Sequence, residues 1–309
     1  MTEIGQLLAA SPAWLAGCVF LLSLLVGSFL NVVIHRLPIM LERDWQAQAQ
    51  EMLSGSAPVR PDQADAAFAP AERYNLVVPR SRCPKCGADI KAHQNIPVVS
   101  YLLLGGKCAN CSAPISARYP IVELVTALLS VAVALRFGWG WQTLAALLFT
   151  WSLVALTVID FDHTLLPDVI TLPLLWLGLL LSLAWHPGLQ SPAPVDPHSA
   201  ILGAVAGYGV LWSVYWAFKL VTGKEGMGYG DFKLFGALGA WMGWQMLPLV
   251  LLLSAFTGAV VGIALIVVRG RDRNIPIPFG PYLAAAGWIA LMWGPQLVGG
   301  YLAFSGLDR

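Results

Sequence analysis

Long apolar runs alternate with short polar segments along most of this chain. A membrane-spanning helix needs about 20 apolar residues, with roughly 17 as the lower limit. Two of the runs, Val122–Leu135 and Leu234–Trp244, are shorter than this unless flanking residues join the helix. Without such residues, Leu234–Trp244 would cross only part of a bilayer. The eight runs are Trp14–Ile34, Val122–Leu135, Trp141–Ile159, Val169–Trp185, Ala200–Phe218, Leu234–Trp244, Met246–Val268 and Pro281–Phe304. The pattern predicts an all-α polytopic membrane protein with about eight transmembrane helices.

Composition agrees with this prediction. The chain is 57% hydrophobic and 11% charged, whereas a soluble domain carries about 25% charged residues. The net charge of +1 indicates no particular partner, and we expect no nucleic acid. Leu15-Ala-Gly-Cys18 is similar to a lipoprotein processing site, but the apolar run continues past Cys18. We therefore expect a retained first span and not a cleaved signal peptide.

Basic residues predict the orientation, because Lys and Arg concentrate in cytoplasmic loops. If residues 35–118 are cytoplasmic, sixteen of the 18 basic residues lie on that side, and Arg136 and Arg309 lie outside. The opposite orientation leaves two inside. Both chain ends are therefore predicted to be periplasmic, and the 35–118 segment cytoplasmic.

The polar segments predict three regions. Residues 1–34 form the first transmembrane helix, residues 35–118 a cytoplasmic domain, and residues 119–309 a seven-helix membrane domain. Within the polar domain, Leu41–Pro70 is rich in Ala, Gln, Asp and Pro and predicts a short amphipathic helix followed by a loose loop.

Four cysteines of the polar domain form two Cys-x-x-Cys pairs. Cys83 and Cys86 precede Cys108 and Cys111 by a 21-residue spacer. Such pairs place four thiolates around one tetrahedral ion, which predicts a structural, zinc-ribbon-like Zn²⁺ site. The alternative is two disulfides, which the reducing cytosol disfavours.

Acidic residues stand at the edges of two apolar runs. Asp160, Asp162, His163 and Asp168 follow one run, and Asp231 precedes another. Ionisable groups near hydrocarbon are costly and often functional. A helix-terminal acid beside the helix dipole explains Asp231 alone, but it does not explain this set of polar groups.

Two glycines, Gly228 and Gly230, precede Asp231 at alternating positions. They let the backbone approach another chain closely, as an extended substrate requires. With Gly226 they also suggest a nucleotide loop, but a strand and a further glycine are missing. Neither His-Glu-x-x-His nor Gly-x-Ser-x-Gly occurs, so other protease chemistries lack their motifs.

The combination resembles the bacterial type 4 prepilin peptidases, which are intramembrane Gly-x-Gly-Asp aspartyl proteases. The similarity covers nearly the whole chain. Besides the cysteine pairs and both aspartate motifs, it includes Gly27-Ser-Phe-Leu-Asn-Val-Val-Ile-His-Arg-Leu-Pro38, Arg118-Tyr-Pro-Ile-Val-Glu123 and Phe279-Gly-Pro-Tyr-Leu-Ala284.

This resemblance implies that Asp160 and Asp231 are the catalytic pair. It further implies an inner-membrane enzyme that cleaves the basic leader from type IV prepilins and type II secretion pseudopilins. The same enzyme would N-methylate the new terminus with S-adenosyl-L-methionine, whose binding residues the sequence does not indicate.

Other polar residues near the two aspartates are expected to support the site. Asp162, His163 and Asp168 would contact substrate, form hydrogen bonds or cap helices, and Asp162 is the rival of Asp160 for the catalytic role. Lys233 would stabilise the ionised form of a nearby carboxylate or neutralise an acidic lipid headgroup. Glu123 would hold an arginine or the new amino terminus, or form an ion pair with Arg118.

Two other functions remain open from the residues. A magnesium-dependent lipid transferase would use Asp160, Asp162 and Asp168 around a metal–diphosphate, but a second acidic cluster is lacking. A transporter would use the carboxylates for ion coupling, with the short sixth run as a broken helix. Internal symmetry would support a transporter, and none is evident.

Overall fold

The computed structural model describes residues 3–54, 74–186, 195–269 and 277–306. Within those ranges the secondary structure is helical, with two isolated β-bridges and no strand. The chain divides into two compact units. Unit 1 contains Met1–Phe20 and Leu128–Arg309, and unit 2 contains Leu21–Ala127.

Ten α-helices occupy the described residues. In chain order they are α1 (Glu3–Ala10), α2 (Pro12–Ser54), α3 (Val99–Leu103), α4 (Arg118–Phe137), α5 (Trp141–His163), α6 (Asp168–Ser182), α7 (Pro197–Thr222), α8 (Tyr229–Met242), α9 (Leu247–Arg269) and α10 (Gly280–Ser305). Two short 3₁₀ turns, Ala92–Asn95 and Trp244–Met246, complete the described helical elements.

Each of the eight predicted apolar runs coincides largely with one of these helices, from α2 and α4 through to α10. Five of them, namely α2, α4, α5, α7 and α9, are long and apolar enough to cross a membrane, and α6 is a shorter apolar helix. The predicted all-α membrane fold is therefore confirmed. The sixth run lies in α8, which begins at Tyr229 and has 14 residues, or about 21 Å of helix.

Helix α2 is longer than the run that predicted it. Its 43 residues correspond to about 64 Å, roughly twice the hydrocarbon thickness of a bilayer. The predicted amphipathic helix after Leu41 is the continuation of α2 to Ser54. The rest of the predicted loop, residues 55–70, lies outside the described residues.

In unit 1, α8 is the most enclosed helix. Small residues bring α7 against it: Gly203 meets Gly239, and a side-chain carbon at Gly207 would lie 2.6 Å from the carbonyl oxygen of Phe235. On another side, the indole nitrogen of Trp241 donates to the carbonyl of Leu174 in α6 at 2.8 Å. Most residues of α8 are buried, including Asp231 and Phe232 in its first turn.

In unit 2, α2 packs closely against the start of α4. A side-chain carbon at Gly27 would lie 2.7 Å from the Cα of Glu123, and Asn31 donates to the carbonyl of Tyr119. Farther along α2, the buried guanidinium of Arg36 donates to the carbonyls of Asn75 and Pro79. These bonds hold residues 75–79, which precede the first cysteine pair, against α2.

Candidate active site and metal centre

Asp160 lies in the last turn of α5, close to the point where that helix ends. Thr164 adopts a left-handed conformation with φ +49° and donates its N–H to the carbonyl of Asp160, which closes the helix. The Asp160 side chain is 5% exposed. Its Oδ2 accepts a hydrogen bond of 3.0 Å from the backbone N–H of Gly280. The start of α10 thus supplies a hydrogen bond to this carboxylate.

Asp231 lies in the first turn of α8 and is 6% exposed. Its Oδ2 accepts the N–H of Gly228 at 3.2 Å, which satisfies a donor at the start of the helix. Its Oδ1 is buried without a hydrogen-bond partner among the described residues. Asp160 and Asp231 are close enough for a coulombic interaction. Packing within unit 1 therefore brings together two carboxylates that are 71 positions apart.

Leu166, which follows α5, fills the space beside the two aspartates. A side-chain carbon at Gly230 would lie 2.7 Å from Cβ of Leu166. One at Gly280 would lie 2.6 Å from Oδ2 of Asp160 and 3.0 Å from the methyl groups of Leu166. Both glycines are thus required by close packing within this chain. The prediction for Gly230 placed another chain against it, whereas its neighbour here is Leu166.

Sequence reasoning assigned no role to Leu166 or Gly280. The signal available for Gly280 was its place in the Phe279-Gly-Pro motif, but a motif alone does not show which atom it faces. Leu166 likewise belongs to the Leu-Pro-Asp168 part of the first aspartate motif, but that position does not show that it packs against Gly230 and Gly280.

Lys233 and Asp168 form an ion pair. The Nζ of Lys233 lies 2.7 Å from both carboxylate oxygens of Asp168, so it joins the second turn of α8 to the first turn of α6. Lys233 was predicted to act on a nearby carboxylate, and that carboxylate is Asp168. Asp162 and His163 are exposed at the end of α5, in contrast to the buried Asp160.

Glu123 lies in unit 2, near the start of α4, and is buried. Its Oε2 accepts the backbone N–H of Val98 at 2.8 Å, and the side chain of Ser28 also bonds to it. The sequence predicted a charged partner for Glu123. The structure places a backbone amide and a hydroxyl against it.

The two cysteine pairs converge in unit 2. Each pair forms the same turn: the N–H of Gly87 donates to the carbonyl of Cys83, and the N–H of Ser112 donates to that of Cys108. Gly87 and Ser112 occupy the equivalent left-handed position, with φ +71° and +55°. The repeated turn points all four sulfurs towards one another.

These four sulfurs fit a zinc ion. They lie within 4.8 Å of one another, and those of Cys83 and Cys111 are 3.8 Å apart. Tetrahedral thiolates at about 2.3 Å from zinc lie about 3.8 Å apart. The four cysteines are free thiols, so the disulfide alternative does not describe this arrangement.

The chain matches the models of two families of known proteins. Residues 21–137 match the family described as the bacterial peptidase A24 N-terminal domain. Residues 147–263 match the type IV leader peptidase family. No solved structure gives a significant match.

Three curated relatives are each named prepilin leader peptidase/N-methyltransferase. The protein of Aeromonas salmonicida is 58% identical over 98% of this chain and 99% of its own length. That of Pseudomonas aeruginosa is 58% identical over 97% of both chains. That of Aeromonas hydrophila is 60% identical over 96% of this chain and 97% of its own. On these matches, which cover nearly its full length, the chain belongs to the type IV leader peptidase family.

Proposed function

We propose that this protein is an aspartic endopeptidase of the bacterial inner membrane. It removes the short basic leader from type IV prepilins and type II secretion pseudopilins, and it N-methylates the new terminal residue. The observation that carries the peptidase proposal is the buried pair Asp160 and Asp231, which two separate helices bring close enough for their charges to interact. The names of the relatives support the substrate and the second activity.

The pair acts on one water molecule. Two neighbouring carboxyls hold a single proton between them, because ionising both is costly. The ionised carboxylate takes a proton from water, and the hydroxyl adds to the scissile carbonyl carbon. The protonated carboxyl donates its proton to the carbonyl oxygen, which gives a tetrahedral diol. The C–N bond then breaks as the proton taken from water passes to the leaving amine, and a hydroxyl of the diol returns a proton to the other carboxylate.

The contacts around the two carboxyls indicate which one acts as the base and which one donates a proton. The N–H of Gly280 donates to Asp160 and stabilises negative charge there, so we assign Asp160 as the base. Oδ1 of Asp231 is buried without a partner among the described residues, so we assign it the proton that is donated to the substrate. The Asp168–Lys233 ion pair holds α6 against α8 and positions Asp231.

The magnesium-dependent transferase is less consistent with these contacts. It needs Asp168 as a metal ligand, but both oxygens of Asp168 accept from Lys233. A bound ammonium beside a carboxylate competes with a divalent cation for the same oxygens.

Zinc is proposed to be the metal of the four-cysteine site. Cys83, Cys86, Cys108 and Cys111 would hold it through four thiolates, which leaves no open position for substrate. The ion would supply a structural cross-link that fixes the fold of the segment between the two pairs.

S-adenosyl-L-methionine is proposed as the methyl donor from the names of the relatives. The described residues contain no strand, so they offer no Rossmann-type site for it. We therefore assign no residue to this cofactor.

The topology proposal follows from the positive-inside rule. Both chain ends face the periplasm, and residues 35–118 and both aspartate motifs face the cytoplasm. The regions 1–34, 35–118 and 119–309 are then the first span, the cysteine domain and the protease domain. A substrate with its leader in the cytoplasm and its apolar helix in lipid presents its cleavage site at this membrane edge.

Incubation of the purified protein in detergent with a synthetic prepilin, followed by mass measurement, tests the proposal. We expect loss of the leader, and gain of one methyl group only when S-adenosyl-L-methionine is added. Cleavage should persist when magnesium is removed. An intact prepilin after prolonged incubation with a protein that retains its fold would refute the peptidase assignment.

A further inference from the structure

An apolar surface projects from the segment between the two cysteine pairs. Four of its side chains form what we call the apolar tip: Ile96, Val99, Leu102 and Leu103. Leu102 is 70% and Leu103 82% exposed, and the other two are about half exposed. Val99, Leu102 and Leu103 lie in the short helix α3, where spacings of three and four residues place them on one side. Ile96 lies just before the turn that leads into this helix. Single exposed apolar residues are ordinary, but a contiguous group indicates a binding surface.

A direct hydrogen bond fixes the position of this tip relative to α4. The N–H of Val98, next to Val99, donates to the carboxylate of Glu123 at 2.8 Å. Glu123 is the sixth residue of α4, which is one of the helices able to cross a membrane. The tip therefore lies beside the first turns of a helix that is long and apolar enough to span a membrane.

The backbone at this junction is strained. Val98 has φ +58° and ψ −48°, a conformation that a β-branched residue rarely adopts. Such a conformation persists only where surrounding contacts impose it. Here the buried carboxylate of Glu123 binds the amide of Val98 itself, and the Oγ of Ser100 donates to the carbonyl of Ile96. These bonds hold the turn that presents the tip.

A cation follows the apolar tip directly. Lys107 is exposed, and its N–H donates to the carbonyl of Leu104, so the lysine is held close to the end of α3. An apolar side chain next to a lysine suits the boundary between acyl chains and anionic headgroups.

We propose that the apolar tip is a membrane anchor that inserts into the lipid interface beside α4. The residues around the cysteine pairs would then be tethered to the bilayer surface, with Glu123 as the residue that sets the depth of the anchor. This inference concerns lipid contact and is independent of the peptidase proposal.

Depth-dependent fluorescence quenching tests the anchor on the full-length protein. The fluorescent amino acid Anap would replace Leu103, and in separate variants Lys85 or Leu128. Lys85 is exposed between two zinc ligands, and Leu128 is exposed about 15 Å deeper along α4 than Arg118. Each protein is placed in nanodiscs of phosphatidylethanolamine and phosphatidylglycerol that carry doxyl lipids.

We expect strong quenching at position 103 by a doxyl group near the headgroup, and weak quenching at position 85 by any doxyl lipid. Position 128 should respond best to a deep doxyl group, which calibrates the scale. Quenching at position 103 no stronger than at position 85 would overturn the anchor.

Two further measurements identify what holds the tip and what it touches. Glu123→Ala should weaken quenching at position 103, whereas Glu123→Gln, which keeps an acceptor oxygen, should preserve most of it. Equal quenching in the two variants would remove Glu123 from the proposal. Loss of quenching at position 103 upon addition of a synthetic prepilin would show a substrate surface and would contradict lipid as the occupant.

Discussion

The cysteine site and the aspartate site are assembled in different ways. The four cysteines lie within 29 consecutive residues, and two copies of one short turn orient them. The two aspartates belong to α5 and α8, and further groups from α10 and the α5–α6 connection surround them. The first site depends on local turn geometry, and the second depends on the packing of helices.

This difference determines which substitutions each site tolerates. A local metal site is lost when a ligand is removed and is insensitive to changes elsewhere in its unit. A site formed by packed helices is also lost when a small residue that lies between the helices is enlarged. The following predictions test that distinction.

The largest effect is expected from the buried carboxylates. Asp160→Asn and Asp231→Asn should each lower the rate of prepilin cleavage by about 10³-fold or more, because each removes one proton-transfer group. Zinc content should remain unchanged. Asp162→Asn is the matched control: this exposed residue is two positions from Asp160, and its variant should retain most of the wild-type rate. A larger loss with Asp162→Asn than with Asp160→Asn would exchange their roles.

Enlarging a packed glycine should have the next largest effect. Gly280→Ala places a methyl group against Asp160 and Leu166, and a displacement of about 1 Å in a catalytic group lowers rates by about 10²-fold. Gly299→Ala in the same helix is the control, since nothing lies within 4 Å of its added carbon. Rates measured on equal amounts of folded protein should separate the two. Equal rates would show that the packing around Asp160 is not required.

Removal of zinc ligands should affect the other site selectively. The double variant Cys83→Ser, Cys86→Ser should lose its zinc, measured by metal analysis, and residues 83–111 should become sensitive to proteolysis. Cleavage of prepilin should fall less than in either aspartate variant, because the proposed ion has no open position for substrate. Unchanged zinc in the double variant would refute the assignment of the ligands.

The smallest effect is expected at the Asp168–Lys233 pair. This pair is partly exposed, and such ion pairs contribute about 0.2–1 kcal/mol. Asp168→Lys and Lys233→Asp should each reduce cleavage a few-fold by separating α6 from α8, and the double exchange should restore part of the rate. If the double variant is as slow as the product of the two single losses, the pair does not act by mutual attraction.

The sequence predicted most of the helices and the convergence of the cysteines. Apolar runs specify helices in lipid because backbone groups must be satisfied within the segment. The spacing of a Cys-x-x-Cys pair lets both thiolates reach one ion, so the sequence alone predicts that the cysteines converge. A helix after Leu41 was predicted, but its continuity with α2 as far as Ser54 was not, because this polar part of the helix has no apolar run that joins it to the first span.

The environment of the aspartates could be predicted only in part. Asp160 and Asp231 were singled out by their unusual position near apolar runs, but their proximity depends on how α5 and α8 pack. The partners of Glu123 and Lys233 were also hidden, since Val98 and Asp168 are distant in sequence. Almost every residue has a backbone amide, so the sequence does not show which amide will donate to Glu123.

The central claim is that Asp160 and Asp231 act as one catalytic unit. Cleavage of a synthetic prepilin by wild type, both asparagine variants and the double variant, followed by mass spectrometry over long incubations, tests it most directly. We predict that the double variant is about as slow as either single variant, because groups that act together lose their function together. A single variant with nearly the wild-type rate would contradict the claim, as would a double variant whose loss is the product of two moderate single losses.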